Sequence, residues 1–192
     1  MTNQGKSAID IVLAESFKEL AVQKPIEKIT IKEITDKAGV IRPTFYNHFQ
    51  DKYELLEWIV QDELIRPLHE LIREGMFKEG IIRSLNNMQR EKGFYSSAAK
   101  LEGQNSFPEI LKTAISKMLM EYVSEETLKH KVTYSWITPK RIADSYAEFI
   151  DFIIVDWVKE GMIIPADELV ETVFFLLSHS TIELFTGTWT EK

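Results

Sequence analysis

The chain has 192 residues, of which 44% are apolar and 28% charged, a composition typical of a folded globular protein. It has no cysteine, which excludes disulfides, thiolate catalysis and Cys-ligated zinc, and its longest apolar run, residues 173–177, is too short to span a membrane. We therefore expect a cytoplasmic protein that contacts no membrane. The net charge of −7 weighs against nucleic-acid binding by the chain as a whole, but residues 24–52 carry six basic and four acidic side chains and are locally basic.

The N-terminal third predicts three short helices and one long one. Apolar residues recur at helical spacing over residues 6–20, and Thr30 followed by Glu33 is a capping-box pattern that begins a second helix. That helix should stop at Gly39. A third helix is predicted over residues 43–49, and Asp51 is a suitable cap for a long fourth helix over residues 51–74.

The rest of the chain predicts further helices over residues 78–90, 107–123, 139–160 and 166–185. The last two are apolar around most of their circumference, which predicts one contact with the chain's own core and a second with a partner. We therefore expect a homodimer formed through a four-helix arrangement, with central helices of a monomer as the alternative. The predicted interface consists of Ile150, Ile153, Ile154, Trp157, Phe174, Leu177, Ile182 and Phe185.

Residues 31–49 have the pattern of a helix-turn-helix unit. Gly39 is suited to the corner because glycine tolerates a positive φ. The residues expected inside the corner are Ile34, Ala38, Val40, Phe45 and Phe49. The outward face of the following helix would carry Arg42, Thr44, Tyr46, Asn47 and His48. Since none of these is acidic, this face suits a DNA major groove lined by phosphates.

This segment resembles the TetR family of bacterial regulators. Thr30, residues 38–40, residues 45–49 and Lys52 match the family pattern in order and spacing, whereas Ile41 replaces a capping serine and Thr35 an alanine. The resemblance implies that Tyr46 and Lys52 bind phosphate, that Thr30 anchors the DNA backbone, and that the remaining outward residues lie in or beside the groove. The predicted DNA-binding set is Thr30, Arg42, Pro43, Thr44, Tyr46, Asn47, His48 and Lys52.

The later part of the chain also resembles this family, in particular its DhaS-like branch. Residues 94–95, 103–107 and 157–162 carry that similarity. The expected fold is all-α with about nine helices: a helix-turn-helix DNA-binding domain over residues 1–52 and a helical regulatory and dimerisation domain over residues 53–192. The resemblance implies switching by a relative movement of two DNA-binding heads, which must lie about 34–36 Å apart to enter successive major grooves.

A small-molecule pocket is predicted from aromatic residues interleaved with polar ones, with plain core as the alternative interpretation. The candidates are Trp58, Phe94, Tyr95, Asn105, Phe107, Met118, Tyr122, Tyr146 and Phe149. The four histidines have no metal-ligand spacing, and no catalytic motif is present, so we predict no metal, no cofactor and no enzyme activity.

The predicted function is that of a regulator that binds a palindromic operator in double-stranded DNA as a homodimer and responds to a small molecule or a partner protein. One alternative is an all-helical co-regulator whose DNA-binding head is vestigial. A small helical enzyme is the other.

Overall fold

The structure, a computed structural model, describes residues 7–123 and 134–187. All regular secondary structure in these ranges is helical, which confirms the predicted all-α class. None of the described helices is both long enough and apolar enough to cross a bilayer.

The N-terminal head consists of three α-helices and one 3-10 turn. They are α1 (Ala8–Gln23), the 3-10 turn (Ile26–Lys28), α2 (Ile31–Ala38) and α3 (Arg42–Tyr46). The first residue of the helix predicted over residues 6–20 lies outside the described residues. The helix predicted over residues 43–49 is shorter than expected, because the backbone at Asp51 is already extended and caps the next helix.

Two local signals give the head its shape. The Thr30 side chain accepts a hydrogen bond from the Glu33 backbone N–H while the Glu33 carboxylate accepts one from the Thr30 backbone, so the predicted capping box is confirmed. Gly39 ends α2 with φ at 69°, in the left-handed region that favours glycine. Phe45 and Phe49 are buried and hold α3 against the head's core.

A long helix follows the head in three parts, α4 (Lys52–Val60), a π-helical segment (Gln61–Ile65) and α5 (Arg66–Arg73). The π segment was not predicted. It has a clear cause, because Pro67 lacks the N–H that would bond the Glu63 carbonyl in an α-helix. The Asn87 side chain donates to that carbonyl at 3.3 Å instead, and the Ser84 hydroxyl donates to the Leu64 carbonyl at 2.8 Å.

The remaining described helices form the body of the protein. They are α6 (Phe77–Arg90), α7 (Lys92–Ala98), α8 (Phe107–Met120), α9 (Pro139–Lys159), α10 (Ala166–Ser178) and α11 (Thr181–Thr186). Helix α7 was not predicted. The single helix predicted over residues 166–185 is wrong, because His179 is extended and Ser180 caps a new helix with Glu183. With residues 52–73 taken as one helix, the described residues form ten α-helices, close to the predicted number.

One hydrophobic core joins the head to the helices behind it. Phe17 of α1 contacts Phe94 of α7 at a ring distance of 6.1 Å, and the core continues through Tyr95 and Phe107. The division into domains after residue 52 stays a prediction.

Candidate functional site

The outward face of α3 presents polar groups without a carboxylate. Tyr46 is half exposed, and its hydroxyl accepts a hydrogen bond from the Arg42 guanidinium at 3.3 Å. Asn47 and Pro43 are exposed, and Thr44 is half-buried beside them. These groups can donate to phosphates and to base edges from one short edge of the head.

His48 has a structural contact in addition to its predicted position near the groove. Its Nδ1 lies 2.7 Å from Asp10 Oδ1, and the other oxygen of Asp10 accepts the Ser7 backbone N–H at 3.1 Å. The imidazole therefore ties α3 to the beginning of α1. Asp10 was not singled out from the sequence, although the Ser7-to-Asp10 spacing is a capping-box pattern that could have revealed it.

Thr30 is exposed at the beginning of α2, where its backbone N–H and hydroxyl both donate to Glu33. Hydrogen bonds from Lys24 and from Thr30 lower the pKa of Glu33 to about 2. These hydrogen bonds hold Thr30 and the beginning of α2 in one geometry.

Lys52 is placed differently from the prediction that it binds phosphate. Its ammonium donates to the carbonyl oxygens of Ile26, Glu27 and Ile29 at 2.8, 2.7 and 2.9 Å. An ammonium has three donors, so all of them are used within the protein. Burial lowers the pKa of Lys52, although the negative charges of Glu27 and Asp51 act to raise it. In this structure Lys52 fastens the 3-10 turn that leads into Thr30, rather than facing outward.

An apolar cavity lies in the bundle behind the head. It has a volume of about 100 Å³, and the surface that its lining exposes is entirely apolar. Its walls come from the π segment and from α5, α6, α8, α9 and α10, with Leu64, Leu68, Met88, Ile115, Met118 and Phe174 among the lining residues. The one hydroxyl in the lining, that of Ser84, is bonded to the Leu64 carbonyl.

Of the predicted pocket residues, only Met118 lines this cavity. Tyr95 packs against Phe94 and Phe107 in the core, with ring centroids 5.0 and 5.6 Å apart, as the alternative interpretation expects, and the assignment of these three residues to a pocket stays a prediction. The others lie elsewhere: Trp58 against Phe49, Tyr122 against His69, and Asn105, Tyr146 and Phe149 at exposed or half-buried positions. Most of the cavity-lining residues missed from the sequence are aliphatic, and they carry no signal that separates them from ordinary core.

The predicted interface residues fall into two groups. Trp157 is 3% exposed and its indole N–H donates to the Ile164 carbonyl at 2.9 Å, so it belongs to the interior of its own chain. Ile150, Ile154 and Phe174 line the cavity and likewise face inward. Leu177, Ile182 and Phe185 are exposed, and Ile153 is half-buried. Among the described residues, no three His, Cys, Asp or Glu side chains are placed to hold a metal ion.

A helix-turn-helix head on a helical body is the architecture of a class of DNA-binding transcriptional regulators. The chain matches two family models, "Bacterial regulatory proteins, tetR family" over residues 17–59 and "Transcriptional regulator C-terminal region" over residues 76–179. The chain belongs to the TetR family of transcriptional regulators. It is therefore a regulator and not an enzyme, as predicted from the sequence.

Individual relatives agree with this assignment. The transcriptional activator DhaS of the dhaKLM operon in Lactococcus lactis subsp. lactis is 33% identical over 69 residues, and this match spans 35% of the chain and 37% of the relative. The structure of a dihydroxyacetone kinase operon activator DhaS matches with a TM-score of 0.64 at 20% identity, over 88% of this chain and 94% of that one. A TetR-family regulator from Syntrophomonas wolfei matches with a TM-score of 0.64 at 19% identity, over 96% of this chain and 98% of that one. At these identities the two structures show the fold alone.

Proposed function

We propose that this regulator acts in the cytoplasm, where it binds a palindromic DNA operator as a homodimer through the outward face of α3. The observation that carries the proposal is the exposed, carboxylate-free edge formed by Arg42, Tyr46 and Asn47. Buried Phe45 and the contact of His48 with Asp10 fix this edge relative to the head. Arg and Asn side chains at such an edge are suited to bidentate contacts with guanine and adenine.

Selection of bound fragments from the source genome, followed by titration of the selected operator, tests DNA binding. Tyr46→Phe should weaken binding to every sequence to a similar degree, because it removes a donor to phosphate. Asn47→Ala should instead change the sequence preference, by about 1–3 kcal/mol at one base pair. Tyr134→Phe, which alters an exposed tyrosine of the body, is the matched control and should have no effect. Retention of no fragment at low salt would refute the proposal and favour the co-regulator alternative.

Exposed apolar side chains on the last two helices support the homodimer. Phe185 is 87% exposed and Ile182 is 72% exposed, and Leu177 lies near them in the chain. Covering these apolar side chains with a second copy of the chain removes them from water and stabilises the dimer. Sedimentation should show a dimer for the natural protein and a monomer for Phe185→Asp. Val22→Asp, at an exposed apolar position in α1, should remain dimeric. A monomeric natural protein at micromolar concentration would contradict this part of the proposal.

The cavity supports an effector that is uncharged and largely apolar. No charged side chain lines it, so an ionised ligand would lose its hydration without gaining a partner. At about 100 Å³ it is smaller than the roughly 300–1,000 Å³ of most ligand pockets, so binding must move its walls apart.

The neutral probe n-decanol, compared with sodium decanoate, tests the ligand class by calorimetry. We expect decanol to bind at least tenfold more tightly than decanoate. Met118→Trp should fill the cavity and abolish decanol binding, whereas Met120→Trp, an exposed position on the same helix, should leave it unchanged. Equal binding of the two probes, or binding that Met118→Trp does not affect, would contradict the assignment.

A further inference from the structure

The π segment lies between the apolar cavity and the head. Leu64 and Ile65 line the cavity, whereas the carboxylate of Glu63, their neighbour in the chain, contacts residues outside it. Glu63 Oε1 accepts from the Lys18 ammonium at 2.8 Å, and Oε2 accepts from the Tyr95 hydroxyl at 3.1 Å. One turn of helix therefore contacts both the cavity and the first helix of the head.

Lys18 is the head's partner in this contact. Its side chain is 5% exposed, and its ammonium lies 2.8 Å from Glu15, 2.8 Å from Glu63 and 3.4 Å from Glu91. Burial alone would lower the pKa of Lys18, but hydrogen bonds to Glu15 and Glu63 and the charge of Glu91 raise it above its ordinary value. A buried cation that loses one of its carboxylates is strongly disfavoured, so Lys18 must follow Glu63 or exchange partners when Glu63 moves.

Tyr95 fixes the other oxygen of Glu63. The ring is fully buried, and burial together with the charge of Glu63 raises the pKa of Tyr95 well above its ordinary value, so its hydroxyl stays a donor. The two carboxylate oxygens of Glu63 thus accept hydrogen bonds from two different helices, α1 and α7.

The π segment is also the wall whose backbone already departs from α-helical bonding. The Glu63 carbonyl accepts a hydrogen bond from Asn87 and the Leu64 carbonyl accepts one from Ser84, both on α6. A ligand larger than the present cavity must displace some of its walls. The π segment has fewer α-helical hydrogen bonds than the helices on either side of it, so it has fewer to lose when it moves.

We propose that Glu63 is a positioning residue that transmits occupancy of the cavity to the head by shifting the Lys18 ammonium and, with it, α1. The inference rests on the proposed DNA-binding and effector functions. Glu63 is then the physical link between the cavity and the head.

The test measures operator affinity of the full-length protein with and without saturating n-decanol. For the natural protein we expect decanol to change the operator Kd by fivefold or more, within the usual range of coupling between sites. Glu63→Gln removes the charge that Lys18 follows while keeping a side chain of the same size. It should reduce the change to less than twofold, while the Kd of decanol itself stays within twofold of the natural value. Tyr95→Phe, which leaves the Lys18 contact in place, should give an intermediate change.

Glu70→Gln is the matched control, since this exposed carboxylate on α5 has no polar partner among the described residues and should keep the full effect. An undiminished decanol effect in Glu63→Gln overturns the proposal, as does a natural protein that binds both decanol and operator without coupling them. Failure of decanol to bind would instead refute the proposed ligand class. In that case hydrogen exchange decides: faster exchange of α1 amides in Glu63→Gln than in Glu70→Gln supports the link, and equal exchange overturns it.

Discussion

Replacement of Lys52 by alanine distinguishes two roles for this residue, an internal anchor and a contact with DNA phosphate. The substitution removes three hydrogen bonds to the carbonyls of Ile26, Glu27 and Ile29. Hydrogen bonds from a charged donor contribute about 1.5–3 kcal/mol each when buried. Lys52 is half-buried and Glu27 is exposed, so water can replace part of the loss. We therefore expect a decrease of about 2–3 kcal/mol in the free energy of unfolding, well below the sum of the three bonds.

Urea unfolding of the free protein measures this decrease. Lys32→Ala is the control, because Lys32 forms an exposed ion pair with Asp36 and its removal should cost about 0.3–0.5 kcal/mol. The salt dependence of operator binding gives an independent readout. Loss of one phosphate contact would reduce the slope of log K against log salt by about 0.9, whereas loss of an internal anchor should leave the slope unchanged. Unchanged stability together with a reduced slope would refute the role that we assign to Lys52.

Three further substitutions test single features of the structure. Ile41 begins α3 without a side-chain cap, so Ile41→Ser should raise the free energy of unfolding by about 0.5–1 kcal/mol in urea titrations, and no gain would contradict the cap geometry. Gly39→Ala should cost about 1–2 kcal/mol from positive φ alone, since an added Cβ meets no atom within 4 Å, and Gly39→Asn should cost less. Asp151 has a carboxylate oxygen without a hydrogen-bond partner among the described residues, and burial, opposed by Lys112, raises its pKa from 3.8 to about 7. Between these two pH values the folded state holds a proton that the unfolded state has lost, so the free energy of unfolding falls as the pH rises from about 3.8 to about 7. Asp151→Asn should lack this fall and be about 1–3 kcal/mol more stable at pH 8. The same pH profile in the variant and the natural protein would count against the assignment.

The parts of the head that the sequence predicts are those specified by neighbours in the chain. The capping box needs only Thr30 and Glu33, and the corner needs only Gly39, so both could be predicted from spacing. The position of Lys52 could not be predicted, because its acceptors lie on a turn more than twenty residues earlier. They are backbone carbonyls, which every residue type carries. A lysine at this place in a basic segment gives the same pattern whether it faces phosphate or carbonyl oxygen.

The cavity and the interface could be predicted less well, because both depend on which side of an apolar helix faces which neighbour. Ile150, Ile154 and Leu177 look equivalent in the sequence, yet the first two line the cavity and the third is exposed. The π segment is an intermediate case. Pro67 within the predicted long helix was a visible signal for a local departure from α-helical bonding, but Asn87, the side chain that bonds the freed Glu63 carbonyl, comes from α6.

Two polar anchors, Lys52 and Glu63, join the long helix over residues 52–73 to the head in addition to the shared core, and they limit how the head can move. Lys52 holds the turn before α2, and Glu63 holds α1 through Lys18. Because α1, α2 and α3 share a buried core that includes Phe17 and Phe45, a shift of one anchor without the other would separate helices packed against each other. A displacement of the long helix by a ligand should therefore turn the head as a rigid unit. In the proposed homodimer, binding of the proposed effector would then change the separation and tilt of the two heads while leaving the surface of α3 intact.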